Sequence, residues 1–241
     1  MSRRTTMLVG WTLALLVMVA FASLGRWQLG RMHEKQTMLD GVAATLAARD
    51  PLPLSAAGNA LRVRGYDWAA GEGVFVDAPA ILLDNQQRDG RPGVRVYRAF
   101  QPAGAAPLLV ELGWLPLPAD RATPAIALPE GVQHVAGLLA PPPSPGLVAQ
   151  HIRKADNASD IVVTRLDAEL MSDFDGVGAL PPRVLKLDPS LPLGHARDFD
   201  ILPNTLPPEK HLGYAVQWFG LALAVLVAAL ILTFRKSSKR R

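Results

Sequence analysis

Two apolar segments, one near each end of the chain, constrain the fold more than any other feature. Met7 to Leu24 contains no charged residue, and Leu212 to Phe234 contains no ionisable side chain except the phenol of Tyr214. About 20 predominantly apolar residues cross the hydrocarbon core of a bilayer as a helix. The sequence therefore predicts a membrane protein with transmembrane helices at residues 7–25 and 211–234.

The first segment has a signal peptide as its alternative interpretation. Arg3 and Arg4 form a basic start, and Ala20-Phe21-Ala22 resembles a cleavage site. The apolar run is longer than the usual hydrophobic region of about 7 to 15 residues, which favours an uncleaved anchor. The mass of the mature N-terminus distinguishes the two.

Basic residues are concentrated in the two tails, residues 1–6 and 235–241. They are Arg3, Arg4, Arg235, Lys236, Lys239, Arg240 and Arg241. Because lysine and arginine near span ends stay on the cytoplasmic side, we expect both tails in the cytoplasm and the region between the helices outside it. These 7 of the 25 Lys and Arg residues leave 18 against 21 Asp and Glu residues, a net charge of −3 for the rest. The basic character thus follows from topology and does not indicate nucleic-acid binding.

Residues 51–210 are predicted to form a small β domain. The chain contains no cysteine, which excludes disulfides, thiolate zinc sites and covalent c-type haem attachment. Closely spaced prolines exclude long helices, and short apolar or alternating runs lie between them. The predicted strands are 61–68, 73–76, 80–83, 94–100, 108–114, 132–139, 161–166 and 184–187. Strands of this length and spacing predict a mainly antiparallel barrel or sandwich.

Two further helical segments are predicted. Residues 26–50 contain no proline and repeat apolar side chains at helical spacing, which predicts an amphipathic extension of the first helix. Those side chains are Met38, Leu39, Val42 and Leu46. Thr164 and Asp167 resemble a capping box, and apolar side chains recur every four positions in the same stretch. This pattern predicts one short structural helix. That repeat is Leu166, Leu170 and Phe174.

Polar and aromatic side chains lie where both predicted spans meet the outer surface. At about 100 degrees per residue, three of them on the second helix fall within roughly 60 degrees of one another, and three on the first helix repeat at i, i+4 spacing. The two sets are His211, Tyr214 and Trp218, and Trp27, Arg31 and Lys35. Spacing alone leaves two interpretations open: interfacial anchors beside a solvated histidine, or a cofactor site with His211 as a ligand.

The other histidines lack metal-ligand spacing and are predicted to lie on the surface or on strand faces. They are His33, His134, His151 and His195. No nucleophile elbow, His-Glu-x-x-His, Walker loop or dinucleotide fingerprint occurs in the sequence. We therefore expect a protein that is not an enzyme, and a membrane-tethered hydrolase ranks last among the functions considered.

Four blocks spread over nearly the whole chain carry a family resemblance. They are Gly25-Arg26-Trp27-Gln28-Leu29 with Arg31 and Glu34-Lys35; Leu83-Asp84-Asn85 with Pro92-Gly93-Val94; Gly113-Trp114-Leu115-Pro116; and His211-Leu212-Gly213-Tyr214-Ala215-Val216-Gln217-Trp218-Phe219. With these blocks the chain resembles the Surfeit locus protein 1 family, whose members share the two-span layout. It departs from the family pattern at Leu112 and Lys210, where arginine is usual. Lysine keeps the charge but loses the bidentate fork of arginine.

The resemblance implies an assembly factor that helps to build the haem-copper centre of cytochrome c oxidase subunit I and holds haem a before its insertion. On this hypothesis His211 binds the iron, while Trp27, Tyr214 and Trp218 lie beside the macrocycle. Cations then pair with the propionates as charge-assisted partners. The candidates are Arg26, Arg31, Lys35 and Lys210.

The expected partners are oxidase subunit I, other assembly factors and the lipid bilayer. Arginine far exceeds lysine and no transit sequence is recognised, so we expect a bacterial inner membrane with the β domain in the periplasm. The alternative function is a membrane scaffold that stabilises the nascent oxidase subunit without binding haem. Co-purification of haem separates the two functions.

Overall fold

A computed structural model describes residues 3–144, 149–157, 159–202 and 205–235. The helices in this part of the chain are α1 (Arg3–Ala48), α2 (Ala168–Ser172) and α3 (Pro208–Phe234). The strands are β1 (Leu52–Pro53), β2 (Asp67–Phe75), β3 (Ile81–Arg88), β4 (Arg91–Pro102), β5 (Leu108–Pro116), β6 (Gln133–Ala140), β7 (Ile152–Lys154), β8 (Ile161–Val163) and β9 (Val184–Leu187). The chain divides into two compact units, residues 1–39 with 206–241, and residues 40–205.

The first unit contains the apolar helices at the two ends of the chain. α1 runs without a break through the boundary at residue 25, where the predicted span ends and the predicted extension begins. Large apolar side chains of both helices are exposed, for example Leu16 at 64% and Leu232 at 70%. Their length, composition and outward-facing apolar side chains are consistent with membrane spans. The basic residues 236–241, used in the prediction of orientation, lie outside the described residues.

The second unit contains a closed β-barrel. Its sheet has the strand order β1-β2-β6-β9-β5-β4-β3-β8-β7, and β2 also pairs with β4. The additional pairing closes β2, β6, β9, β5 and β4 into a ring, which leaves these strands without open edges. Of the two predicted architectures, barrel and sandwich, the strand pairing corresponds to the barrel.

The sheet is mixed. Antiparallel pairs predominate, as predicted, but β1 pairs with β2, β3 with β8 and β5 with β9 in parallel. Parallel neighbours need a crossover connection, and the chain makes a long excursion between the two strands of each such pair. Alternating apolar patterns do not reveal such pairings, because the period of two is the same in both orientations.

Side chains of the barrel strands alternate between two apolar cores. Val94, Val96 and Phe100 of β4 lie in the core inside the ring. Tyr97 and Ala99 of the same strand point to the other face, where they pack with side chains in and around α2. The alternation has the period of two that strands impose, and it leaves both faces of β4 buried.

The strand predicted at residues 61–68 is wrong except at its end. Ala60–Arg62 forms a 3₁₀ turn, and β2 begins only at Asp67. The side-chain oxygen of Asn59 accepts a hydrogen bond from the Leu61 N–H at 3.0 Å. Such a local cap satisfies the backbone without a neighbouring strand, and it therefore competes with extended structure.

The short helix predicted on the β domain is present as α2, but its predicted cap is wrong. Asp167 is the N-cap and accepts from the Leu170 N–H at 3.0 Å. The Thr164 hydroxyl donates instead to the Ala149 carbonyl at 2.8 Å. The helix is therefore one turn shorter at its start than a capping box at Thr164 implies.

Candidate functional site

α1 and α3 pack together along a seam with heptad spacing. The less exposed positions of each helix recur at alternating intervals of three and four residues, as in a coiled coil. On α1 they are Trp11, Ala14, Met18, Phe21, Gly25, Gln28, Met32 and Lys35, and on α3 they are His211, Ala215, Trp218, Ala222, Val225 and Ala229. The indole of Trp11 donates to the Thr233 hydroxyl at 3.0 Å, and the ring centroids of Phe21 and Trp218 lie 5.5 Å apart. These contacts fix an antiparallel register.

His211 lies in this seam and is 7% exposed. Its Nδ1 lies 2.7 Å from Oε1 of Gln28 on α1. An amide oxygen only accepts hydrogen bonds, so Nδ1 carries a proton, and in the neutral imidazole Nε2 then keeps its lone pair. Nε2 is buried and has no hydrogen-bond partner among the described residues. Such an atom destabilises the protein by about 1–3 kcal/mol, and a ligand that accepts the lone pair would remove this penalty.

Contacts on both sides of the histidine hold the two helices at this level. About one turn before Gln28, a Cβ added at Gly25 would lie 2.9 Å from the ring of Phe219. The absent side chain therefore allows close approach of the helices, a common use of glycine in membrane helix pairs. Two turns after Gln28, the Lys35 ammonium donates to the Leu206 carbonyl. These two contacts therefore fix the distance between Gln28 and His211 on both sides of the hydrogen bond.

The predicted site residues divide between the seam and the outer helix faces. Lys35, His211 and Trp218 lie in the seam. Trp27 and Tyr214 are more exposed, at 56% and 41%. Arg26 and Lys210 are also exposed, and Arg31 forms a surface ion pair at 2.6 Å with the neighbouring Glu34. A shallow concavity on α1 is lined by Ser23, Arg26, Trp27, Gly30, Arg31 and Glu34. With 100 degrees between successive residues, the centre of this concavity lies on the face of α1 opposite the seam.

Gln28 is the residue of this site to which the sequence assigned no role. It belongs to the first block of the family resemblance, but its partner lies 183 positions away along the chain. One signal was available before the structure: Gln28 is an uncharged polar residue in an otherwise apolar stretch of the heptad pattern on α1. A polar residue at such a position often specifies which partner and register a helix adopts.

A second polar cluster is buried on the outer face of the barrel. The Glu111 carboxylate, 2% exposed, accepts from Arg95 at 2.5 Å, from Lys186 at 3.2 Å and from the Tyr97 hydroxyl at 3.1 Å. Burial alone raises the pKa of Glu111, but the charges of Lys186 and Arg95 and their hydrogen bonds outweigh it, so the pKa lies below its usual value. Burial holds the pKa of Tyr97 well above its usual value. Both groups therefore keep one protonation state near neutral pH, which is typical of a structural cluster rather than of acid-base catalysis.

The central family blocks have structural roles. A Cβ at Gly93 would lie 2.5 Å from the indole of Trp114, so this glycine makes room for the ring. Gly113 has a φ of +115°, and a Cβ there would lie 2.8 Å from the His195 carbonyl oxygen. Leu112, which stands where the family usually has arginine, is 2% exposed in the apolar core inside the ring. The departure from the family pattern is therefore compatible with the packing of this barrel.

The other histidines are not seam residues: His33 is on the exposed face of α1, and the other three belong to the second unit. His33, His134 and His151 are exposed, and Nδ1 of His33 lies 2.8 Å from the Leu29 carbonyl on its own helix. His195 is partly buried, and burial and then the charge of Arg197 lower its pKa. Over the described residues, no group of three or more His, Asp or Glu side chains is arranged to hold a metal ion. Among the described histidines, His211 is the one that is buried and whose Nε2 has no hydrogen-bond partner.

The two apolar terminal helices and the barrel encoded between them are consistent with the class of inner-membrane proteins that carry one folded domain between two spans. The family model of the SURF1 family matches residues 15–223. The match covers most of the chain, and the protein belongs to this family, which confirms the resemblance seen in the sequence. The family is associated with cytochrome oxidase assembly and consists of assembly factors rather than known enzymes. A comparison with curated proteins finds no match.

Proposed function

We propose that this protein assists assembly of a haem-copper cytochrome c oxidase by holding haem a through His211 before the haem enters subunit I. The observation that carries the proposal is the buried, unpartnered Nε2 of His211, whose ring is held through Nδ1 by Gln28. Membership of an assembly-factor family supports the same role. The haem is cargo in this proposal, and the oxidase is the protein that uses it.

The side chains present fit the chemistry of the cargo. Imidazole is a common axial ligand of haem iron, and it binds through the nitrogen that carries no proton. Trp218 and Tyr214 follow His211 on α3 and offer aromatic surface to the macrocycle. Lys35 is a proposed propionate partner in the seam, where its ammonium donates to the Leu206 carbonyl, and a propionate would replace that acceptor. Arg31 is a second candidate, with Glu34 competing for its charge.

Loading requires access to Nε2. Since His211 is only 7% exposed, the side chains that cover Nε2 must move before an iron atom reaches the lone pair, while the hydrogen bond between Gln28 and Nδ1 is kept. Trp27 is proposed to take part from the outer face of α1, where its exposure also suits an aromatic residue at the membrane interface. The closed pair described here is, in this proposal, the unloaded form.

The proposed location is a bacterial inner membrane with both termini in the cytoplasm and the β domain in the periplasm. The absence of ionisable side chains other than Tyr214 from residues 212–234 supports a span there. The arginines beside both spans support the orientation. Oxidase subunit I and other assembly factors are the proposed partners.

A scaffold without haem is the second candidate function, and the covering of Nε2 in the closed helix pair favours it. Such a scaffold would use the helix faces to steady the nascent oxidase subunit. It predicts that oxidase assembly depends on the protein while His211 does not matter.

Purification from cells that make haem a tests the proposal. The full-length protein, His211→Ala and the matched control His33→Ala are compared in detergent by haem content and Soret absorbance. We expect at least a tenfold loss of haem in His211→Ala and no loss in His33→Ala, since loss of the axial ligand removes the iron bond. Equal haem in all three would exclude His211 as the ligand. In a deletion strain, His211→Ala that restores the oxidase fully without carrying haem would favour the scaffold.

A further inference from the structure

The geometry points to Gln28 as a positioning residue that fixes the tautomer of His211 and sets the strength with which its Nε2 holds iron, above that with no acceptor and below that with a carboxylate. This inference rests on the proposed haem binding for its second part only. Its first part, the tautomer, concerns the haem-free protein. Gln28 does not touch the iron in this scheme, and it acts through the imidazole.

The tautomer follows from the chemistry of the two side chains. Oε1 of Gln28 lies 2.7 Å from Nδ1 of His211, which is a normal hydrogen-bond length. Since the amide oxygen has no proton to give, Nδ1–H must be the donor. The proton is then held on the nitrogen that faces α1, and the lone pair is left on Nε2, which is buried and unpartnered in the described structure. Without Gln28, no described seam residue would hold the proton on Nδ1 and so leave Nε2 free to bind a metal.

The placement of Gln28 is determined by its neighbours in the helix pair. Gly25 allows the Phe219 ring to approach α1, and the hydrogen bond from Lys35 to the Leu206 carbonyl holds α1 against the segment just before α3. A glutamine between two such fixed points loses little further freedom when it bonds His211. The hydrogen bond is therefore preorganised rather than formed when a ligand arrives.

A neutral acceptor suits a protein that must release its cargo. Residues that hydrogen-bond the second nitrogen of a metal-bound histidine raise its basicity, and their removal typically lowers metal affinity about 10–100-fold. A carboxylate in this place would withdraw the Nδ1 proton more strongly and make the imidazole a stronger donor. The amide of Gln28 orients the ring but transfers less charge, which favours reversible haem binding.

The first arm of the test uses the haem-free, full-length protein in detergent micelles with ¹⁵N-labelled histidine. The chain has 5 histidines, and the signals of His211 are identified by their loss in His211→Ala. We expect the Nδ1–H tautomer for the native protein and its loss or mixture in Gln28→Leu. Gln217→Leu is the matched control, because Gln217 is an exposed glutamine on α3. An unchanged tautomer in Gln28→Leu overturns the inference.

The second arm titrates the same proteins with haem a and measures the dissociation constant and the midpoint potential. Gln28→Leu should weaken binding about 10–100-fold and raise the potential, whereas Gln28→Glu should tighten binding and lower the potential. Because the two variants should shift the affinity and the potential in opposite directions, either variant tests the inference if the other folds poorly. Equal values for Gln28→Leu, Gln28→Glu and the native protein would contradict the inference. Native-like haem binding by His211→Ala would instead refute the proposed function and leave the tautomer result standing.

Discussion

Replacement of Glu111 by glutamine tests whether charge holds the buried cluster on the barrel. Glutamine keeps the size of the side chain and still accepts a hydrogen bond from Arg95, but it removes the negative charge. The three ionic groups are Arg95, Lys186 and Glu111, so their formal charge changes from +1 to +2. The variant therefore leaves two cations near one another with no counterion in the cluster.

The expected loss in the free energy of unfolding is about 3–5 kcal/mol, because removal of one partner of a buried ion pair leaves uncompensated charge. Water offers little compensation, since Glu111 is 2%, Lys186 6% and Arg95 7% exposed. For a domain of 150–250 residues, 1 kcal/mol shifts Tm by about 2–4 °C, so Tm should fall by roughly 6–20 °C. Lys186→Met is the matched control. It leaves Glu111 paired with Arg95 at a formal charge of zero, and its loss should be clearly smaller.

The pH dependence gives an independent check. The pKa of Glu111 in the folded protein lies below its usual value, because the charges of Lys186 and Arg95 outweigh the effect of burial. A carboxylate with a lowered pKa stabilises the fold above its unfolded pKa of about 4.3. This contribution is lost as the pH falls through the folded pKa. The stability difference between the native protein and Glu111→Gln should therefore be constant from about pH 5 to 7 and shrink below about pH 4.

Thermal unfolding of the full-length proteins in detergent, followed by near-ultraviolet circular dichroism, measures both effects. The scans are run at neutral pH and at several acidic values, with the native protein, Glu111→Gln and Lys186→Met in parallel. Similar losses for the two variants at neutral pH would contradict the assignment of the effect to charge. A stability difference between the native protein and Glu111→Gln that does not change at acidic pH would also contradict this assignment.

Two further predictions concern glycines in the barrel and in the helix pair. Gly113→Ala should destabilise the barrel by more than about 1 kcal/mol, because its φ is +115° and the new Cβ would lie 2.8 Å from the His195 carbonyl oxygen. Gly58→Ala, which meets nothing within 4 Å, is the control in the same unfolding assay, and equal stability of the two variants would count against the reasoning. Gly25→Leu should lower haem content as His211→Ala does while barrel stability is kept, because Phe219 occupies the space of the new side chain. Gly30→Leu, also with open space around it, should bind haem normally, and a normal haem content in Gly25→Leu would show that the close approach is dispensable.

Much of the fold was predictable from periodicity. The apolar segments at both ends, the seven strand regions from 73–76 to 184–187 and the helix before Phe174 all correspond to elements of the structure. Each depends on a pattern repeated within one short stretch of chain, which a single sequence displays directly. The closure of the ring was not predictable in the same way. It depends on β2 pairing with β4 as well as with β6, and no local pattern states which strands meet.

The candidate site was predictable in part. The position of His211 at the end of an apolar segment left two interpretations open, a solvated interfacial histidine or a ligand, and the family resemblance favoured the ligand. The helical stripes grouped side chains on each helix separately. They did not show that Trp27 and Tyr214 lie away from the most buried part of the seam, because the face that a helix buries depends on its partner. The role of Gln28 was not predicted for the same reason, since it depends on a contact with a residue near the other end of the chain.

The distribution of unpartnered polar atoms indicates where ligand chemistry is available. Buried side-chain atoms without partners in the described structure are Gln86 Oε1, the Nε atoms of Arg95, Arg98 and Arg183, and His211 Nε2. The arginine atoms belong to guanidinium groups that are bonded through their other nitrogens, and a protonated guanidinium has no lone pair to give a metal. The Gln86 oxygen is an amide acceptor, which suits hard cations rather than haem iron. His211 combines a free nitrogen lone pair with a second nitrogen already held by an acceptor, the arrangement found in metal-bound histidines. Among the described residues, the unpartnered side-chain atoms of the barrel are thus donors and one amide oxygen, whereas that of the helix pair is an imidazole nitrogen, the kind of atom that the proposed haem binding requires.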